Sequence, residues 1–344
     1  MSLKAFISGC AGPSLTAGER AFFRAERPCG LILFARNCET PEQVAALVRS
    51  WRECVEEDGL LVLIDQEGGR VQRLGPPHWR KYPPARRLAE LWRRDPARGL
   101  DTLTRVTRLM AADLHALGIN VDCLPVLDVP VAGAHDVIGD RAYDEDPDTV
   151  AQLGRAVAEA CLASGVLPVI KHIPGHGRAR ADSHVSLPVV DARLEELEAL
   201  DFPPFRALND MPLAMSAHVL LTTLDRTQPA SISPVIIRDV IRGRIGFDGL
   251  LMSDDVSMGA LGGSIGDRTA AVFAAGSDVV LHCNGKMGEM RAVAAASPVL
   301  ADRAGERFGA ALARITAPEP LDVAAAEVEL ASVMGTEGSE GMKA

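Results

Sequence analysis

Apolar positions along the chain cluster into eight short runs, at residues 3–8, 30–34, 60–65, 119–127, 166–172, 212–217, 249–254 and 278–283. Runs of this length, rich in Val, Ile and Leu, are the pattern of strands buried on both faces. Between them lie stretches whose apolar residues recur at helical spacing, among them 41–57, 99–117, 147–163, 192–208, 233–245 and 268–275. Strands alternating with helices imply a parallel sheet with right-handed crossovers. Eight such units predict an α/β fold, a single-domain (β/α)8 TIM-type barrel over residues 1–315. An open doubly wound sheet is the other arrangement the pattern allows. It is disfavoured because Gly9-Cys10-Ala11-Gly12 after the first run lacks the spacing of a dinucleotide-binding fingerprint. Residues 75–98, rich in Pro, Arg and Trp, read as a long surface excursion with one short helix. Residues 316–344 are polar and Gly-rich towards the end and read as a flexible tail.

Composition narrows the class. The chain has 344 residues, 47% hydrophobic and 24% charged, which suits a globular protein with a large core. Aromatics are only 4%, so that core must be aliphatic. A net charge of -10, with no stripe dense in Lys and Arg, excludes a nucleic-acid binder. Cysteines at 10, 29, 38, 54, 123, 161 and 283 form no CxxC pair and read as reduced, mostly buried thiols. There is neither a long apolar segment near the start nor a run of about 18 apolar residues elsewhere. The expectation is a soluble cytoplasmic monomer that binds no membrane.

In a barrel of this kind the site forms at the C-terminal ends of the strands. Polar residues crowd that edge. They are Asp65-Gln66-Glu67-Gly68-Gly69-Arg70-Val71-Gln72-Arg73, Asp128, Lys171-His172, Ser216-Ala217-His218, Ser253-Asp254-Asp255 and His282-Cys283-Asn284. Gly139-Asp140-Arg141 follows the fourth run, and Gly175, His176 and Asp182-Ser183-His184 follow the fifth. Each has a plainer reading. Asp65 could cap a turn, and one of Arg70 and Arg73 could be a surface charge. Lys171, in apolar surroundings, needs a carboxylate or a ligand as partner, and a ligand is favoured. His172, His176 and His184 could hold a metal, but the spacing is loop-like and no HExxH is present, so no metal and no cofactor is expected. His282 reads as structural, and Asp255 as a capping carboxylate. Because side chains alternate along a strand, only one of Asp254 and Asp255 should face the site; the pattern does not say which.

Strand-end carboxylates beside a separate proton donor suit retaining glycoside hydrolysis, in which a carboxylate attacks the anomeric carbon. The donor there is usually a second carboxylic acid. A histidine can replace it when a neighbouring carboxylate orients the ring, and Asp182 and His184 are close enough in sequence to make that contact. The alternative is an Asx turn with an incidental histidine.

Asp65 to Arg73, Gly139-Asp140-Arg141-Ala142-Tyr143, Lys171-His172-Ile173-Pro174-Gly175-His176-Gly177, Asp182-Ser183-His184 and Ser253-Asp254-Asp255-Val256-Ser257-Met258 occur in this order. Together they resemble the bacterial β-N-acetylhexosaminidases of glycoside hydrolase family three, over roughly residues 30–284. The resemblance implies Asp254 as nucleophile. It implies His184 as acid/base, partnered by Asp182 on a mobile loop. It implies Asp65, Arg73, Arg141, Lys171 and His172 as the groups that hold a terminal N-acetylglucosamine, with His176 and the glycines shaping the loop. The implied substrates are cell-wall muropeptides, GlcNAc-1,6-anhydroMurNAc with or without peptide, in peptidoglycan recycling. The implied branch is the one-domain one. Where many relatives carry Glu after the Ser-Met pair, Gly259 stands here. Competing readings are a β-glucosidase or β-xylosidase, a phosphorylase of the same family, a metal hydrolase and a silent sugar-binding protein.

Overall fold

The computed structural model describes residues 2–335 except residue 184. Eight parallel strands close into a barrel: β1 (Lys4–Ser8), β2 (Pro28–Leu33), β3 (Leu61–Ile64), β4 (Val121–Asp122), β5 (Leu167–Ile173), β6 (Leu213–Ser216), β7 (Leu250–Asp255) and β8 (Val279–His282). Neighbours in sequence are neighbours in the sheet, and β1 pairs with β8 to close it, Phe6 beside Val280. All eight expected runs are strands of this barrel. The fourth is much shorter than its run. Pro125 has no N–H to give the ladder, so beyond Asp122 only an isolated bridge, Val126 to Lys171, continues the pairing.

Alternation along the strands divides the core in two. Leu61 and Leu63, Leu167 and Val169, Leu213 and Met215, Leu250 and Met252, and Val279 and Leu281 fill one cluster inside the barrel. Their neighbours Val62 and Ile64, Ile170, Ala214, Leu251 and Val280 pack outward against the helices. Each such side chain, taken fully out of water, contributes about 1.5–3 kcal/mol. The seven cysteines are free, and only Cys38 is not fully buried.

The helices start where the sequence provides caps. Helix α1 (Ala17–Glu26) begins with a Thr16/Glu19 capping box. Helix α2 (Pro41–Val55) has Thr40 as cap and Pro41 at its first position. Helices α3 (Ala85–Arg94), α4 (Pro96–His115) and α5 (Pro147–Ala163) follow, the last two capped by Asp95 and Asp146. The 192–208 and 233–245 segments form helical turns that include π-helical Leu197–Asp201 and Ile236–Arg244. Helices α6 (Ile265–Ala275), α7 (Met287–Ala296) and α8 (Asp302–Leu312) complete the outer layer. No helix among the described residues is long and apolar enough to cross a membrane.

The tail differs from expectation. Val323–Gly335 is a helix, α9, whose Ala326, Leu330 and Val333 are buried in the same cluster as Leu103, Val106 and Met110 of α4. Thr102 Oγ1 donates to Glu329 Oε2 at 2.8 Å, and Arg80 pairs with Glu327. The apolar spacing 326, 330, 333 gives this segment a helical stripe that its flanking polar residues conceal. Residues 336–344 lie outside the described residues.

Candidate active site

The segment after β3 is short, and glycine makes it fold back at once. Gln66–Gly68 pairs antiparallel with Val71–Gln72 through a tight turn in which Gly68 and Gly69 adopt φ of 86° and 57°. A Cβ at Gly68 would lie 2.3 Å from the Pro83 carbonyl oxygen. The buried Gln66 side chain ties the hairpin down: its Oε1 accepts from the backbone N–H of Arg73 and Leu74, each at 3.0 Å. Asp65, Glu67 and Arg73 are thereby held together at the barrel mouth.

Lys171, at the end of β5, joins them. It is 1% exposed, so its ammonium needs compensation, and it has two carboxylates: Asp65 Oδ1 at 2.9 Å and Glu67 Oε1 at 2.6 Å. The expectation that a ligand would be its partner is corrected here. Arg73 reaches Asp65 Oδ2 at 3.0 Å. Arg141, on the turn Gly139–Arg141, grips Glu67 with both ends of its fork, at 2.7 and 2.8 Å. Burial alone would raise the Asp65 and Glu67 carboxyls. Lys171 outweighs it in both, with Arg73 for Asp65 and Arg141 for Glu67, and both stay below the usual carboxylate range. Arg70 is the surface charge, exposed and paired with Asp136 and Asp140.

The ladder between β5 and β6 shifts register between Lys171 and Ile173, so strict alternation lapses. Lys171 and His172 therefore both border one cavity of about 300 Å³. Beneath His172 lies the fully buried Asp128. Its Oδ2 is 2.6 Å from His172 Nδ1, and its Oδ1 accepts from the His176 backbone N–H at 2.7 Å. Burial would raise the Asp128 carboxyl; His172 and the bond from His176 outweigh it. His176 is buried next to His172 and pushed down to about 4, first by burial and then by His172, so its ring is neutral.

The same cavity is bordered by Asp65, Arg73, Arg141, His176, Ser183, Asp254 and Asp255, and by Phe34 and Arg36 from the end of β2. Both aspartates of the pair reach it, because β7 also shifts register between Met252 and Asp255. The expectation that only one would do so is corrected, yet the two differ. Asp255 Oδ1 accepts from the N–H of Ser257 at 2.9 Å and of Cys283 at 3.2 Å, and its Oδ2 from Ser257 Oγ at 2.6 Å. It is a turn-capping carboxylate, as read. Asp254 Oδ1 takes the Asp255 N–H at 2.8 Å.

His218 is not in the wall. It is buried with Nε2 3.0 Å from the Asp255 carbonyl oxygen and Nδ1 2.6 Å from Ser231 Oγ, so it braces the strand behind. His282 is likewise buried, its Nε2 3.3 Å from Glu289. Asp182 is half-buried, and its carbonyl accepts from Val185 and Ser186 in a turn. His184 lies outside the described residues. The loop that carries them is fixed at its base. Gly177 leaves no room for a side chain, since a Cβ would stand 1.9 Å from the Val129 carbonyl oxygen. Arg178 Nε donates to Asp201 at 2.6 Å. Ser183 is held twice: its Oγ is 3.3 Å from His176 Nε2, and its carbonyl accepts from the Ala260 N–H at 3.1 Å.

Sequence reasoning placed Glu67 and Asp128 at strand ends but gave neither a role. The available signal was charge balance: a buried lysine and a nearby arginine require more than one carboxylate, and an adjacent histidine required an orienting group.

The arrangement offers cationic donors, carboxylates and an Asp–His pair around a sugar-sized cavity. The family profile described as Glycosyl hydrolase family 3 N terminal domain matches residues 16–317. A protein of Bordetella avium named Beta-hexosaminidase is 38% identical over 278 residues, covering 80% of this chain and 79% of its own. One of Chromobacterium violaceum with the same name is 41% identical, covering 80% and 77%. The structure of NagZ from Neisseria gonorrhoeae superposes with a TM-score of 0.86 at 30% identity, over 97% of this chain and 98% of that one, and the same protein has been solved with N-trifluoroacetyl-D-glucosamine. The chain belongs to glycosyl hydrolase family 3.

Proposed function

We propose that this chain is a retaining exo-β-N-acetylglucosaminidase that removes terminal GlcNAc from cell-wall muropeptides, GlcNAc-1,6-anhydroMurNAc with or without peptide, in peptidoglycan recycling. The observation that carries the reading is the meeting, at one cavity, of Asp254 with the interlocked Asp65, Lys171, Arg73 and Arg141 and with His172. The hexosaminidase relatives, and the NagZ structure with N-trifluoroacetyl-D-glucosamine, support the N-acetylhexosamine as the sugar. In this proposal the donors of Lys171, Arg73 and Arg141 and the carboxylate of Asp65 grip the hydroxyls of the non-reducing sugar. Asp254 attacks the anomeric carbon and forms a glycosyl ester. His184, oriented by Asp182, protonates the departing oxygen and then takes the proton of the attacking water. Asp255 caps the following turn through Ser257 and Cys283, a structural duty.

Two measurements test this. A 5-fluoro N-acetylglucosaminide should stall turnover, and peptide mapping should find the sugar on Asp254; label elsewhere, or an inverted product, overturns the mechanism. Asp254→Asn should lower kcat on an aryl N-acetylglucosaminide on the order of a thousandfold or more, with binding retained.

A further inference from the structure

On one side the cavity is bordered by cationic donors. Lys171, Arg73 and Arg141 can only donate. The carboxylates on that side are already bound to cations: Asp65 to Lys171 and Arg73, and Glu67 behind them to Lys171 and to both ends of the Arg141 fork. A sugar hydroxyl carries one proton to donate, so a site of this kind gains discrimination from an acceptor not neutralised by a cation. His172 is the candidate. Its Nδ1 is taken by Asp128 at 2.6 Å, which leaves Nε2 as the ring nitrogen for the cavity it borders.

We propose that Asp128 is a positioning residue that fixes His172 as its Nδ1–H tautomer, so that Nε2 faces the cavity as an acceptor for a substrate hydroxyl. Asp128 is built for this. It is fully buried, and it accepts from the backbone N–H of His176 at 2.7 Å and of His172 at 3.3 Å as well as from the ring. Those two N–H groups hold its orientation whatever the ring does. They also help to stabilise the carboxylate. Were the tautomer reversed or the ring charged, Nε2 would carry a proton and could only donate. The inference deepens the glycosidase reading and rests on it for the nature of the hydroxyl.

The test begins with the full chain labelled with 15N-histidine, free of ligand, in mildly alkaline buffer. Long-range correlation spectra, with His172 identified by loss of its signals in His172→Gln, should show Nδ1 protonated and Nε2 bare. A protonated Nε2 overturns the proposal, and this result does not depend on which glycoside is turned over. Asp128→Asn, compared with wild type on the 3-, 4- and 6-deoxy N-acetylglucosaminides, should raise KM for the parent glycoside roughly tenfold to a hundredfold. It should also erase the penalty of one deoxy analogue while leaving kcat less affected. An unchanged pattern across the deoxy series overturns the assignment. If Asp128→Asn does not fold, the wild-type spectrum still decides.

Discussion

Glu67 binds Lys171 and Arg141 at once and is almost wholly buried, so its removal strands two cations under the barrel mouth. Glu67→Gln should cost about 3–5 kcal/mol of stability, the range for breaking a buried pair, and raise KM as Lys171 and Arg141 relax. Urea unfolding checks the first part; a midpoint within experimental scatter of wild type would refute the account of this cluster. Asp65, Lys171, His172 and Asp254 were legible in the sequence because each ends an apolar run. The roles of Glu67 and Asp128 were not, although Asp128 also ends such a run, because those roles lie in contacts made across 74 and 44 residues of chain. Lys171 illustrates the limit: the need for a partner follows from burial, but the choice between protein and ligand depends on where the β3 hairpin puts Glu67.

The loop between Gly175 and Asp182 is an element whose backbone path is set by close approach. At Gly177 any side chain meets the Val129 carbonyl, so Gly177→Ala should destabilise by about 1–3 kcal/mol through overpacking. It should also lower kcat more than it raises KM, because the loop displaced is the one proposed to carry the proton donor. Steady-state kinetics alongside thermal unfolding separates the two effects, and wild-type kcat would contradict the loop's proposed role. Helix α9 poses the converse case. Deleting residues 316–344 uncovers the α4 face under Ala326, Leu330 and Val333. The loss of at least one buried leucine, about 1.5–3 kcal/mol, should lower the melting temperature by several degrees; an unchanged melting curve would show that α9 adds nothing. Parallel strands were legible because burial on both faces leaves a continuous apolar run. The β3 hairpin was not, since Gln66, Glu67 and Gln72 carry no apolar alternation and its geometry comes from Gly68 and Gly69. The π-helical turns likewise leave the apolar spacing of an ordinary helix almost unchanged.

For the molecule as a whole, buried carboxylates pull stability in opposite directions with pH. Asp65 and Glu67 titrate lower in the folded chain than unfolded. Their contribution is complete above the ordinary carboxylate range and is lost as pH falls through it towards their folded values. Burial raises Asp122 well above its usual value, and Asp201 to about 6 against the opposing pull of Arg178. Their contribution is present below the ordinary range and is lost as pH rises through the folded value. Stability should therefore peak near the ordinary carboxylate range, at roughly pH 4. Asp201→Asn should flatten the decline from there to about pH 6; an equally steep decline in the variant would exclude Asp201 as its source. The barrel itself was legible from its eight-fold alternation, whereas the closure of β8 onto β1 and the registers that bring adjacent residues into the cavity depend on all strands at once.

Lys171 answers to two carboxylates, and each of those answers to a different arginine. These five side chains can be exchanged only in concert, since every single replacement passes through a receptor with a stranded charge. Laboratory evolution toward another sugar should stall here and find its first accepted changes at uncharged neighbours of the same cavity, such as Val137, Ile138 and Met215.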